Sequence, residues 1–325
     1  MDIYKGAEKV VKMCANVQPG EKVVVVTDIM RAPSIAENIA KAARALGANV
    51  VEVSFDGELI GGEMRTDISH IIETADVLIC VTTRTLAYTR AVAICRENGG
   101  RILVMTEATE ETLITGAVEA DFLSLAPVVS YVKECFDKAE TVTVSAPGGT
   151  RIHLSVKERK AATCTSIVHN PGDFSGFPNV EVYIAPIEKE TRGLVVADAT
   201  SSRIGLLDEP ITLEISDGRI ASINGGSQSD SLREILDKAN CDNAYVLCEF
   251  ALGLNPFGTL VGNIISDEGL YGTGHFGFGN NLSFGGVNRS SLHLDLVYKK
   301  PTVYLDGTCF MKDGMLCDFE FKQLI

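Results

Sequence analysis

Over residues 1 to about 125, short runs of β-branched residues alternate with segments of helical periodicity, an order that few folds accept. "EKVVVV" reads as a buried strand, "SIAENIAKAARALG" as a helix with Ser34 as N-cap and Gly47 as C-cap, and "NVVEVSF" as the next strand. "TDISHIIETA", "DVLICVTT", "LAYTRAVAICRENG", "RILVMT" and "EETLITGAV" continue as helix, strand, helix, strand and helix. Parallel strands need long crossovers, so this spacing predicts a mostly parallel sheet covered on both faces. The expectation for residues 1–125 is a doubly wound α/β domain, a Rossmann-like scaffold. The turn after its first strand, "TDIMRAPS", has no GxGxxG pattern, and no phosphate-binding loop follows any strand, which argues against a nucleotide site. "TTRTLAYTRA" (82–91) lies at the C-terminal end of a strand, where ligands of open sheets sit, and is expected to help hold a substrate.

From about residue 126 the pattern becomes short alternating strands separated by Gly, Asn and Asp turns: "TVTVSAPGGTRIHLSV", "VEVYIAP", "GLVVADAT" and "ITLEISDGRIASI". "SDGR" is a strong hairpin signal, and "PTVYLDGTCFMKDGML" reads as a closing hairpin. One helix, "SDSLREILDKA", interrupts the series. Residues 126–325 are therefore expected to form an α+β domain with an antiparallel sheet.

A formal charge of −14 excludes two partner classes. Nucleic acid and anionic membrane surfaces are bound largely by Lys and Arg, so neither is expected. The nine cysteines are scattered and odd in number, with no CxxC pair, and read as buried thiols of a reducing compartment. "MDIYKGAEKVVKMC" has no apolar core of a signal peptide, and no apolar run approaches the roughly 18 residues of a membrane span. The cytoplasm is the expected location.

Residue chemistry concentrates in the second half. "YVLCEFALGLNP" carries Glu249 among apolar residues, and a buried carboxylate is costly unless paired or metal-bound. "SDEGLYGTGHFGFGNNLSFGG" packs seven glycines with Asp267, Glu268 and His275; its glycines let backbone pass close to a ligand, and regular strand is not required throughout. "NRSSLHLDLVY" then places His293 and Asp295 two apart, on one face of a strand and roughly 6.6 Å apart along it. His70, His153 and His169 lie in ordinary helix, strand and loop contexts. Each feature has a bland alternative: a hydrogen-bonded His and Asp, a Glu paired with an Arg, a plain glycine loop. Together, imidazoles with carboxylates and no nearby thiolates suit an open site for zinc, manganese, cobalt or ferrous iron.

The series "EFALG" from Glu249, Asp267 with Glu268, "GTGHFGFG" around His275 and "NRSSLHLD" ending at Asp295 resembles the aminopeptidase T family of metallopeptidases. The resemblance covers the C-terminal half in order and the α/β half more weakly. It implies two divalent metals held by Glu249, His275, His293 and Asp295, and it adds Glu181 of "NVEVYIAP", which otherwise reads as plain strand. The family's tyrosine ligand, seven residues past its first histidine, falls on Leu282 here, beside Asn281. The 2,5-dihydroxypyridine 5,6-dioxygenases are similar too, through "ITLEISDGRIASINGG" and "GGVNRSSLHLD". That resemblance implies one ferrous iron on two histidines and an aspartate, with the first histidine falling on Glu249.

The leading expectation is a cytoplasmic metal-dependent aminopeptidase-like hydrolase, a homodimer by resemblance, acting on N-terminal peptide or related amide bonds of small substrates. Its site takes Glu249 as bridging ligand, His275 and Glu181 on one ion, His293 and Asp295 on another, Glu268 as general base, and Asn288 and Ser290 orienting His293. The alternatives are oxidative ring cleavage at a mononuclear ferrous site, and a non-catalytic relative that binds a small molecule.

Overall fold

The computed structural model describes residues 1–59 and 62–318. They gather into two compact units, Met1–Leu123 with Cys164–Asn179, and Ser124–Thr163 with the chain from Val180 onward.

The first unit is built on a parallel sheet. Strands β1 (Lys22–Asp28), β2 (Asn49–Phe55), β3 (Val77–Val81) and β4 (Arg101–Val104) take the order β2-β1-β3-β4, and the strand Phe174–Gly176 is added beside β4. Helices α1 (Ile3–Lys9), α2 (Pro33–Ala45), α3 (Thr66–Glu73) and α4 (Arg90–Glu97) accompany it. Val24, Val26, Leu78, Cys80, Ile102 and Val104 pack with Ile68 and Ile72 of α3 and Val92 and Cys95 of α4. Strands buried on both faces read as unbroken apolar runs, as Val23–Val26 does.

Several local expectations need correction. Helix α2 starts at Pro33, with Ala32 at the N-cap position, and the Ser34 hydroxyl instead donates to Glu110. Gly47 does follow the helix end with a positive φ of 84°. "EETLITGAV" is two 3₁₀ turns, Glu110–Leu113 and Gly116–Glu119, separated where Gly116 turns to φ 77°. In the "TTRTLAYTRA" segment, Thr83 donates to Asp28 Oδ1 at 2.9 Å and accepts from Arg31 Nε at 3.0 Å.

The second unit carries two antiparallel arrangements. One is an eight-stranded sheet from Arg219–Asn224 at one edge to Met315–Leu316 at the other, and its "SDGR" hairpin turns through Asp217 and Gly218, both at positive φ. Helix α6 (Ser227–Lys238) matches the expected helix. Helix α5 (Ala126–Lys138) was not expected, because its Val-rich start resembles strand; burial of Val128, Val129, Val132 and Phe136 follows the helical period.

In the other sheet, β5 (Glu181–Ile184), β6 (Leu247–Gly253), β7 (Thr273–Gly279) and β8 (His293–Lys299) lie side by side in that order. Within the glycine-rich segment only Thr273–Gly279 is regular strand, the fully buried β7, and turns and a 3₁₀ turn at Leu282–Phe284 flank it, as expected of a stretch that need not be strand throughout. Side chains alternate across a sheet, so the register assigns a face to each residue. Even-numbered Phe250, Phe276 and Tyr298 stack in sequence, and Phe136 of α5 lies 5.6 Å from Phe250, forming an apolar core. The odd-numbered face carries Glu181, Glu249, His275, His293 and Asp295.

Candidate metal centre

The ladder brings the charged residues together. Glu249 is opposite Gly277, and Gly277 is opposite Asp295 on the next strand, so the two carboxylates flank a position with no side chain. A Cβ at 277 would lie 2.7 Å from Glu249 Cβ, 3.0 Å from Asp295 Oδ1 and 3.2 Å from the His293 ring. Glycine is therefore what leaves room for the cluster.

His293 Nε2 lies 3.2 Å from Glu249 Oε2 and 3.1 Å from Asp295 Oδ1. Its Nδ1 is 2.8 Å from the Asn280 carbonyl oxygen, which can only accept, so Nδ1 carries the proton. The ring thus turns Nε2 toward the carboxylates, the arrangement of a metal-binding imidazole oriented by its other nitrogen. Glu249, His293 and Asp295 each offer a ligand atom within 4.8 Å of the others. On the far side of Glu249, His275 Nε2 stands 3.5 Å from Glu249 Oε1 and 3.7 Å from Glu181 Oε2.

Electrostatics follows from crowding four buried or half-buried carboxylates around two imidazoles. Burial and the charges of Glu181, Asp295 and Glu249 push the Glu268 carboxyl well above its usual range. Burial works to lower the pKa of His275, but Glu249, Glu181 and Asp295 outweigh it and raise the value to about 9. Burial works to raise Glu249, yet hydrogen bonds and charge from His275 and His293 bring it down to about 2. Asp295 Oδ1 and His275 Nδ1 are buried without a hydrogen-bond partner. A negative pocket with an oriented imidazole and an unsatisfied carboxylate oxygen fits a divalent cation.

The expected residues Glu181, Glu249, His275, His293 and Asp295 thus meet on one sheet face, and Glu268 lies within their electrostatic reach. Other expectations change. Asn281 is committed elsewhere: its amide donates to Glu188 and to the Cys248 carbonyl, and its Oδ1 accepts from Asn288 N. Asn288 ties Gly279 and Asn243 carbonyls, and Ser290 Oγ accepts from Leu292 N, so the orienting bond found on His293 comes from Asn280. That carbonyl left no trace in the sequence, because any residue supplies one. Cys248 was also missed. A register shift between Leu247 and Glu249 brings its sulfur within 3.7 Å of His293 Nδ1, and burial pushes its thiol up to about 11. His70, His153 and His169 bond Glu73, Thr143 and the Met13 carbonyl respectively, apart from this cluster.

A family model described as NicX, 2,5-dihydroxypyridine 5,6-dioxygenase, matches residues 2–318. The 2,5-dihydroxypyridine 5,6-dioxygenase of Pseudomonas putida KT2440 is 26% identical over 255 residues, 75% of this chain and 71% of that protein. A solved structure of 2,5-dihydroxypyridine dioxygenase from Pseudomonas putida KT2440 aligns with a TM-score of 0.81 at 21% identity, covering 98% and 97% of the two chains. Wild-type AmpT from Thermus thermophilus aligns at 0.70 and 17% identity over 97% and 98%. These matches overturn the hydrolase expectation. The family model spans nearly the whole chain and describes a dioxygenase, whereas the resemblance to AmpT holds for the fold. The cluster of carboxylates and imidazoles misled because such a donor set on a fold does not by itself name the reaction.

Proposed function

The chain belongs to the 2,5-dihydroxypyridine 5,6-dioxygenase family, and from that premise we propose that it is a ferrous-iron dioxygenase that opens a small dihydroxylated aromatic ring, of the 2,5-dihydroxypyridine type. The observation that carries this reading is the dioxygenase family match over residues 2–318, and the metal site it calls for is offered by His293 Nε2 turned toward Glu249 and Asp295 by the Asn280 carbonyl.

Glu249, His293 and Asp295 would hold the ion. Two carboxylates and one neutral imidazole replace the two histidines and one carboxylate of the usual facial triad, and their two negative charges balance a dication. Ferrous iron held by these residues would supply the redox chemistry that lets dioxygen react with the ring. Burial and the charges of Glu181, Asp295 and Glu249 favour the protonated form of Glu268. Glu268 would be the group that exchanges a proton with a substrate hydroxyl. Glu249 and Glu181 favour the charged form of His275 at the other end of the cluster, where it faces Glu249 and holds that carboxylate in place. The rings of Tyr183 and Phe284 meet edge-on at 5.2 Å, with Phe284 6.0 Å from His293, and offer an aromatic wall for a planar substrate.

The deciding experiment purifies the protein without oxygen, loads it with ferrous iron and follows oxygen uptake with 2,5-dihydroxypyridine and other dihydroxylated rings. About one iron per chain and consumption of oxygen in step with ring loss are expected. An iron-loaded protein that consumes no oxygen with any of these rings defeats the proposal.

A further inference from the structure

The loop between β7 and β8 makes two contacts with His293: the Asn280 carbonyl at Nδ1, and the Phe284 ring against the imidazole at 88°. Its fixation therefore fixes the direction of Nε2. The bonds that hold this loop converge on one ion pair.

Arg159 Nη2 lies 2.6 Å from Glu188 Oε2, with both side chains largely buried. The other Glu188 oxygen, Oε1, accepts from Val287 N at 2.7 Å and Asn281 Nδ2 at 3.0 Å. Arg159 Nη1 donates to the Gly285 carbonyl. Asn281 carries the restraint inward: its main-chain oxygen accepts from Gly286 N at 3.0 Å, and its Oδ1 accepts from Asn288 N at 2.8 Å. One carboxylate and one guanidinium thus grip the loop at 281, 285 and 287, immediately beyond Asn280. Burial works to raise the Glu188 pKa, but bonds from Val287, Asn281 and Arg159 outweigh it and keep the group ionised.

We propose that Arg159 and Glu188 are positioning residues for the metal centre, which set the orientation of His293 through the 280–288 loop without touching the ligand themselves. The proposal rests on the reading of Glu249, His293 and Asp295 as metal ligands and is independent of which ring is cleaved. A buried charge pair that served only stability would gain little over an apolar one. Placed here, it pays in the direction of an imidazole.

The test uses cobalt(II) as a spectroscopic probe of the full-length metal-free protein. Affinity is read by titration and ligand geometry by the visible bands, at a temperature where circular dichroism shows each variant folded. Glu188→Ala and Arg159→Ala are expected to weaken cobalt binding about 10- to 100-fold and to shift the bands, as loss of an orienting partner does. Glu188→Gln, which keeps an acceptor oxygen for Val287, is expected to recover much of the affinity and the wild-type bands. Equal affinity and identical bands in both alanine variants overturn the inference while leaving the metal reading intact; wild-type protein that binds no cobalt overturns both. Should the alanine variants not fold, Arg159→Lys is read in the same way: it loses the fork that spans Glu188 and Gly285, and unchanged bands count against the proposal.

Discussion

Glu249 and Asp295 face one another across Gly277, each paired in register with that glycine from opposite sides. The space where an ion would sit is therefore made by a missing side chain in the middle strand.

Gly277→Ala places a methyl group 2.7 Å from Glu249 Cβ, inside any real contact distance. Overpacking of this kind costs about 1–3 kcal/mol. The expected result is a folded but less stable protein with little bound iron, checked by urea unfolding and by elemental analysis. A variant with wild-type iron content would contradict this account of the site.

Removing one ligand should act on metal uptake before it acts on folding. Glu249→Gln keeps the shape and deletes a charge that balances the cation, and we expect at least about a tenfold loss of iron affinity; His293→Ala should leave the protein essentially iron-free. Competition with a chromogenic chelator measures both.

Proton linkage in the metal-free protein has a definite sign. The His275 pKa rises from 6.5 to about 9, so its contribution to stability is complete below pH 6.5 and lost as pH climbs through 9. The Glu249 pKa falls from 4.5 to about 2, so its contribution is complete above pH 4.5 and lost as pH falls through 2. The contributions of these two groups are jointly complete between pH 4.5 and 6.5, while Glu268, whose carboxyl is pushed up, takes stability away as pH rises above 4.5, so the metal-free chain should lose resistance to urea on the alkaline side. His275→Gln should flatten the alkaline side of that profile. A wild-type profile that is flat from pH 6 to 9 would refute the assignment.

Metal itself should stabilise the fold. An ion held at 100 times its dissociation constant adds about 2.7 kcal/mol. Thermal unfolding with ferrous iron under nitrogen, against the same protein in chelator, is expected to show a higher midpoint that His293→Ala abolishes.

The legible parts of this molecule are those written in side-chain type and period. Val23–Val26 announced a buried parallel strand, Asp217 and Gly218 a tight hairpin, and His293 with Asp295 a shared face. Helix α5 was obscured because Val128, Val129 and Val132 are β-branched, so composition argued against the period. The regularity of β7 was hidden by its glycines, which are there for clearance at Gly277 as well as for turning. Asn280 acts through a main-chain oxygen and Glu188 through a loop distant in sequence, and neither role has a local signature. The chemistry was misjudged for a different reason: the ligands alone do not say whether a bound ion activates water or dioxygen.

The candidate ligands stand on adjacent strands whose main chains are locked to one another by ladder hydrogen bonds. Such a floor cannot widen or narrow to suit ions of different radius, as a loop-built site can. Discrimination among transition metals then falls to donor chemistry and to which ion the surroundings supply, with little contribution from induced adjustment. A chain of this design would be expected to take up cobalt more tightly than iron and manganese less tightly, so the chemistry proposed for it would depend on which ion its surroundings supply.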